Sequence, residues 1–265
     1  LVVGKFAGGP TGDLRLHPDL TRLTVLKAQP GWAWAPADRY DQDGAVHFAD
    51  SRSLVRRLVE RLSKRELSAR VSFEIEWWVS VGDGDEFIPA GVGPSYGMTR
   101  LVALSDYVRD LLVALTSQGV AVEQIHPEGA VGQLELSVAP EDPVNAADTV
   151  ILVCETIRAV SREHGLRVSF APLVVAGKET NGRHAHLSLW RDGVNLMAGG
   201  DRRYGLTPPG EAFAGGILSR LPALLAVGAP TVASYLRLIP SHWAGAFACW
   251  GLENREAALR FIAGE

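Results

Sequence analysis

Cysteine and methionine are scarce in this chain of 265 residues, which contains two of each. Cys154 and Cys249 lie far apart, and Cys154 lies within an apolar run, so we expect a buried free thiol rather than a disulfide bridge. This pattern predicts a reducing, cytoplasmic environment. An excess of charge of one sign is also lacking, because 26 basic and 30 acidic residues leave a net charge of -4. The chain is therefore not expected to bind nucleic acid or an anionic membrane.

Long uninterrupted apolar runs are also lacking. The longest runs are too short and too often broken to cross a bilayer, so we expect no membrane-spanning helix. No signal peptide is visible, although the first residue is not Met. With 47% hydrophobic and 21% charged residues, the composition is typical of a globular protein that buries a sizeable core.

The most informative stretch runs from His126 to Glu135. Glu128 and Glu135 are separated by Gly129 and Gly132, and glycines suit a tight turn between two strands. After Glu135, apolar residues alternate with polar ones, which is typical of a strand with one apolar face. We expect both carboxylates to converge, and converging carboxylates repel each other unless a proton or cation lies between them. Solvated turn acids are the alternative interpretation.

A second acid pair lies in a strongly β-prone run, residues 71–79. Glu74 and Glu76 are two residues apart and therefore share one face of a strand, while Phe73, Ile75 and Trp77 form the other face. Two acids on one face of so apolar a strand are costly if they are buried without a partner. We therefore expect a partner of opposite charge.

A third motif places imidazoles on a strand. His184, His186 and Ser188 alternate in residues 183–190 and would point the same way. Carboxylates with few imidazoles are ligands that suit hard divalent cations better than zinc. The three motifs together predict a site for such cations.

These motifs continue with residues 235–240 (YLRLIP) and residues 250–255 (WGLENR), followed by Arg260. In this order they resemble the catalytic domain of the glutamine synthetase family of carboxylate–amine ligases. The resemblance implies an α+β fold in which a curved antiparallel sheet, a half-barrel, is flanked by helices. It assigns residues 49–265 to this domain, whose C-terminal part would follow Glu265, and residues 1–48 to part of a small β-grasp domain.

The resemblance also implies a reaction and a set of ions. A ligase of this family uses ATP to activate a carboxylate as an acyl-phosphate, with two or three Mg²⁺ or Mn²⁺ ions. By resemblance, one ion would be held by Glu76, Glu128 and Glu135. A second would be held by Glu74 and His184, together with a further glutamate downstream of this chain.

The remaining site residues follow from the same resemblance. Arg237 and Arg255 would be catalytic, with Arg237 holding the substrate carboxylate. Substrate binding would also involve Glu128, Thr180 and Trp243. The nucleotide would be bound by Glu123, His186, Ser188, Arg255 and Arg260. Glu123 and Arg260 are also consistent with ordinary surface charges.

Two positions depart from the family members that use ammonia. Those members have an acid six residues after the arginine matched by Arg237, where this chain has Trp243. They also have an aspartate after a phenylalanine in the N-terminal domain, where the matching residue here is Ala7. Loss of both counter-charges disfavours ammonium, and an aromatic surface suits a larger amine. We therefore expect a γ-glutamyl amide ligase that uses an organic amine such as a polyamine or ethanolamine.

Two alternatives remain open. The chain is also consistent with a true glutamine synthetase whose ammonium site is built differently, or with a catalytically silent relative. The family assembles its sites between subunits of stacked rings, so the resemblance implies a ring homo-oligomer, possibly a dodecamer.

The apolar spacing also predicts secondary structure. Helices are expected at residues 51–67, 100–118, 142–164, 211–227 and 230–238, and an extended segment at residues 171–177.

Overall fold

The computed structural model describes residues 12–263. The strands are β1 Arg15–Pro18, β2 Thr24–Val25, β3 Ala33–Trp34, β4 Ala37–Tyr40, β5 Ser68–Val81, β6 Ile88–Pro89, β7 Val122–Pro127, β8 Gln133–Val138, β9 Arg167–Ser169, β10 Arg183–Arg191, β11 Val194–Asn195, β12 Phe247–Leu252 and β13 Ala257–Phe261. The helices are α1 Ser51–Ser63, α2 Met98–Ala103, α3 Ser105–Ser117, α4 Pro143–Glu163, α5 Pro208–Gly228 and α6 Val232–Arg237.

An antiparallel sheet of seven strands forms the centre of the molecule. Its path is β11-β10-β5-β8-β7, and β6 and β9 pair with the far end of β5. β5 is long because its β-branched and aromatic residues favour a pleated surface over 14 positions. The strands predicted around the acid motifs are therefore present, and they are neighbours in one sheet.

One face of this sheet packs against helices. Ile75, Trp77, Leu134 and Leu136 are completely buried, and they lie on the apolar face that their alternation predicted. Leu111 and Leu115 of α3 and Val153, Ile157 and Val160 of α4 form the facing helical layer. The carboxylates on the alternate positions must therefore lie on the other face of the sheet.

The first residues of α1 and α4 lie where the sequence predicted them, to within one residue. Asp50 accepts a hydrogen bond from the Ser53 N–H at 2.7 Å and caps α1. Asp142 caps α4, and Pro143 occupies its first turn, where the missing N–H has no cost.

Several helix ends differ from the predicted ones. α1 ends at Ser63 because Glu66 adopts a left-handed φ of 59° and Leu67 N–H returns to the Leu62 carbonyl, a Schellman closure. The predicted helix 100–118 is two helices, since Leu104 has non-helical angles between α2 and α3. Residues 171–177 form a loop rather than an extended segment.

Residues 12–48 form two short antiparallel pairs, β1–β4 and β2–β3. Arg52 of α1 binds this region through ion pairs with Asp19 and Asp38, and it also pairs with Asp148 of α4. Assignment of residues 1–48 to a β-grasp domain stays a prediction.

α5 differs from the expectation that every apolar run is too short for a bilayer. Among the described residues it alone has the length and composition of a membrane span. Pro222 lies inside it, and it packs beside β12 and β13. Apolar helices of soluble proteins also meet this criterion, so α5 is weak evidence for a membrane protein.

Candidate metal and substrate site

Strand register brings the predicted acids together on the sheet face opposite the helices. Glu76 of β5 pairs with Glu135 of β8, and Glu74 pairs with His184 of β10 on its other side. Each of these side chains offers one ligand atom within 4.8 Å of the others. A set of carboxylates with one imidazole suits Mg²⁺ or Mn²⁺.

Glu74 lies between two histidines. Its Oε1 is 2.5 Å from His184 Nδ1, and its Oε2 is 3.1 Å from His186 Nε2. Burial disfavours the charge, but these hydrogen bonds outweigh it and hold the pKa of Glu74 well below its usual range. Glu74 is therefore a carboxylate at neutral pH, and His184 keeps Nε2 available as a metal ligand.

Glu76 has the opposite electrostatic character. Burial raises the pKa of Glu76 to about 7, and the nearby Glu135 and Glu128 carboxylates contribute to this increase. Its Oε2 accepts a hydrogen bond from Gln133 Nε2 at 2.7 Å. The Glu135 and Glu128 charges that contribute to this shift would also stabilise a cation at this position.

Glu128 and Glu135 converge on His126, as the second cluster of possible ligands. His126 Nε2 is 3.2 Å from Glu135 Oε1, and this interaction raises the pKa of His126 to about 9. Sequence reasoning did not include His126 among the site residues. Its position near the end of β7, two residues before Glu128, was the available signal.

Gly182 has no side chain, and groups of the cluster formed by Glu74, Glu76, Glu135 and His184 occupy the space beside it. A Cβ on this residue would lie 2.7 Å from His184 Cε1 and would also collide with the Glu76 carboxylate. The Gly182 carbonyl accepts the Glu76 backbone N–H at 3.3 Å. A side chain at residue 182 is therefore incompatible with the observed positions of both groups.

Arg237 ends α6 with its guanidinium directed at the acids. Burial lowers the pKa of Arg237, and the Glu76 carboxylate opposes this effect. Its Nη1 donates to the Ala244 carbonyl at 3.1 Å, whereas Nε is buried and has no hydrogen-bond partner in the described part of the chain. A buried donor without a partner indicates that a ligand completes the site.

The loop before α2 and the first turn of α2 contribute residues that sequence reasoning missed. Tyr96 adopts φ 58°, and burial together with the Glu128 charge raises its pKa. Arg100 is 3% exposed, and its Nη1 donates to the carbonyls of Glu128 and Ala130 at 2.8 and 2.6 Å. The sequence predicted only a loop and a helix start here, because no periodic pattern reveals such contacts.

The other predicted substrate residues lie in two loops. The Thr180 carbonyl accepts from Gln133 Nε2 at 3.1 Å, and the neighbouring Asn181 is buried and hydrogen-bonded to the same amide. Trp243 is 72% exposed, and no hydrogen bond of its side chain is present among residues 12–263. The Arg255 charge opposes the increase in the pKa of Tyr96, so Arg255 lies near this tyrosine.

Of the residues predicted to bind the nucleotide, only some lie beside the acid clusters. His186 and Ser188 share the face of β10 that carries His184, and Ser188 Oγ accepts from Trp190 Nε1 at 2.8 Å. Arg260 lies in β13, opposite Gly251. Glu123 is exposed at an irregularity between β7 and β8. Within residues 12–263, no hydrogen bond or ion pair joins Glu123 or Arg260 to the acid clusters.

Comparisons with known proteins agree with this geometry. The family described as "Glutamine synthetase, catalytic domain" matches residues 48–265. The γ-glutamylpolyamine synthetase GlnA3 of Streptomyces coelicolor is 57% identical over 260 residues, which are 97% of this chain and 56% of that protein. The glutamine synthetase of Methanocaldococcus jannaschii is 33% identical over 264 residues, 96% of this chain and 58% of that protein.

Solved structures give the same result. A glutamine synthase homologue superposes with a TM-score of 0.87 at 38% identity, covering 98% of this chain and 61% of that one. A GmaS/ADP complex superposes with a TM-score of 0.87 at 28% identity, covering 96% and 61%. The chain thus spans little more than half the length of the curated relatives described here, and the predicted half-barrel fold is confirmed. On sequence, fold and the arrangement of its carboxylates, the chain belongs to the glutamine synthetase family.

Proposed function

We propose that the protein is an ATP-dependent ligase that joins glutamate, or a related acid, to an organic amine. The observation that carries this proposal is the convergence of Glu74, Glu76, Glu135 and His184 beside Arg237, whose buried Nε has no hydrogen-bond partner among the described residues. A free carboxylate is a poor electrophile. Its oxygen attacks the γ-phosphorus of ATP and ADP leaves. The neutral amine then attacks the acyl carbon, phosphate leaves, and the nitrogen loses one proton to give the amide.

The acid clusters would hold Mg²⁺ or Mn²⁺ in this reaction. Glu76, Glu128 and Glu135 would form one set of ligands, and Glu74 with His184 would form part of a second. Bound ions would neutralise the charge of the phosphates. The presence of these partly buried, converging carboxylates argues against a catalytically silent relative, because carboxylates without cations would destabilise the fold.

The arginines would bind the negatively charged substrates. The guanidinium of Arg237 suits bidentate binding of the substrate carboxylate, and its unpartnered Nε supports this role. Arg255 and Arg260 would contact the phosphates. His186, Ser188 and Glu123 would line the nucleotide site, and Thr180 would contact the acid substrate.

An organic amine is supported by two features. The 57%-identical relative is named a γ-glutamylpolyamine synthetase, and exposed Trp243 stands where ammonia-using members have an acid. An indole can bind an ammonium group or the alkyl part of an amine. Ala7, the second predicted departure, lies outside the described residues.

A glutamine synthetase that uses ammonia is the second candidate, because relatives at about 33% identity carry that name. A ring homo-oligomer, as in the rest of the family, is part of the proposal. Cytoplasmic location also stays a prediction.

The test is phosphate release from ATP by the full-length protein with glutamate and a panel of amines. The proposal predicts turnover with at least one polyamine or ethanolamine at a lower amine concentration than with ammonium. Faster turnover with ammonium than with every organic amine would favour the second candidate. Absence of turnover together with absence of Mn²⁺ and nucleotide binding would indicate a silent relative.

A further inference from the structure

The loop that carries Trp243 is fixed by one carboxylate that sequence reasoning did not consider. Glu256 lies just before β13. Its Oε2 accepts the Ser241 backbone N–H at 3.0 Å, and its Oε1 accepts the Trp243 backbone N–H at 2.6 Å. One carboxylate therefore binds two N–H groups of the same loop turn.

This turn has a conformation that non-glycine residues rarely adopt. Ser241 has φ 66° and Trp243 has φ 52°, and both lie in the left-handed region. Such residues are costly unless their surroundings hold them, and backbone N–H groups arranged in this way form a concave anion-binding nest. The Glu256 carboxylate occupies that nest and stabilises the left-handed conformation.

The same loop connects the two predicted catalytic arginines. The Ala244 carbonyl accepts from Arg237 Nη1 at 3.1 Å, and the Gly245 N–H donates to the Arg255 carbonyl at 3.2 Å. Ala244 is buried, whereas the Trp243 side chain projects outward. Hydrogen bonds with Arg237, Arg255 and Glu256 thus hold the backbone of the loop. The bond to Glu256 involves the N–H of Trp243 itself.

We propose that Glu256 is a positioning residue for the amine: it holds the Trp243 loop in the conformation that presents the indole to the organic amine. This inference rests on the proposed function. Among residues 12–263, Glu256 makes no hydrogen bond or ion pair with the acid clusters or with the Arg237 guanidinium, so its effect should be confined to the amine substrate.

The test compares steady-state kinetics of Glu256→Ala and wild type in the full-length protein. Loss of two charge-assisted hydrogen bonds should raise the KM for the organic amine about tenfold or more. The KM values for ATP and glutamate should stay within about twofold. Glu163→Ala, at the exposed end of α4, is the matched control and should change none of the three constants.

Two further variants separate positioning from general destabilisation. Glu256→Gln keeps the size and one acceptor oxygen, so it should show an intermediate amine KM, and it carries the test if Glu256→Ala unfolds. In a Trp243→Ala background, Glu256→Ala should add less than about twofold, because both changes act through the same indole.

Three results would overturn the inference. These are an unchanged amine KM in Glu256→Ala, an equal rise in all three KM values, or full additivity with Trp243→Ala. A wild-type protein that prefers ammonium would overturn the proposed function and this inference together, whereas the first three results leave the proposed function intact.

Discussion

At the scale of single residues, the acids of the site differ in their affinity for protons. Hydrogen bonds from His184 and His186 keep Glu74 ionised, whereas burial raises the pKa of Glu76 to about 7. His126 remains a cation up to about pH 9 beside Glu135. In the metal-free protein, a proton on Glu76 and a charged His126 together offset part of the negative charge that divalent ions would neutralise.

Mn²⁺ binding should therefore release protons. The pKa of Glu76 lies above its ordinary value of 4.5, so the group is protonated below pH 7 and loses its proton as the pH rises through about 7. Since a metal needs the carboxylate, apparent affinity should rise by about tenfold or more per pH unit below pH 7. Calorimetry in buffers of different ionisation enthalpy should report at least one proton released at pH 6, because His184, whose pKa is raised by Glu74, must also be neutral to bind a metal. Affinity that is independent of pH between 6 and 8 would contradict this account.

Gly182 should be essential for metal binding. In Gly182→Ala, the new methyl group would displace the Glu76 carboxylate and the His184 ring, so Mn²⁺ affinity should fall at least about tenfold because misplaced ligands bind poorly. Gly216→Ala in α5 is the control, because a Cβ there meets nothing within 4 Å. Equal Mn²⁺ affinity of both variants, measured by calorimetry, would show that Gly182 does not shape the site.

Arg237 should determine affinity for the acid substrate but not for the metal. Arg237→Gln removes the charged bidentate donor, so the KM for glutamate should rise about 100-fold while Mn²⁺ affinity stays unchanged. Arg220→Gln, on the exposed surface of α5, should alter neither quantity. A glutamate KM that stays within twofold of wild type in Arg237→Gln would remove Arg237 from the substrate site.

At the scale of elements, strand period explains why much of the site could be predicted. Glu74, Glu76 and Glu135 occupy alternate positions of strands whose other faces are apolar, and a shift of one residue would exchange the faces. The contributions of Tyr96, Arg100 and Glu256 could not be predicted in this way. Their positions depend on left-handed loop residues and on hydrogen bonds between backbone and side chain, which leave no periodic signal in the sequence.

The ends of the helices also could not be predicted from the apolar spacing. The apolar spacing continues past Ser63 and across Leu104, yet α1 and α2 end there because of the backbone closure at Glu66 and the non-helical angles of Leu104. Apolar spacing reports which face is buried, whereas the hydrogen bonds of the final turn decide where a helix ends.

The junction between α1 and the N-terminal strands gives a prediction about stability. Arg52 is 10% exposed and pairs with Asp19, Asp38 and Asp148. Arg52→Ala would leave the buried Asp148 carboxylate and the partly buried Asp19 carboxylate without an ion-pair partner, while Asp38 keeps Arg56, so the free energy of unfolding should fall by about 3 kcal/mol or more. Arg109→Ala, which breaks exposed pairs with Asp106 and Asp110, should leave the free energy of unfolding almost unchanged. Denaturant unfolding of both variants would measure this difference, and equal losses would contradict it.

At the scale of the whole molecule, the two faces of the central sheet have different roles. Its apolar face packs on α3 and α4 and supports the fold, while its polar face gathers the carboxylates and imidazoles. Because the two sets of side chains alternate along the same strands, the packing that buries Ile75 and Trp77 also fixes the positions of Glu74 and Glu76. The fold therefore constrains the geometry of the ligands before any ion binds.

The most direct test of this account is a crystal structure of the full-length protein with manganese, using anomalous diffraction to locate the ions. The account predicts Mn²⁺ bound to Glu76, Glu128 and Glu135, with a second ion at Glu74 and His184. If the side chains of these residues spread apart at saturating Mn²⁺ and no anomalous peak lies among them, the metal site and the ligase function that depends on it would both be contradicted.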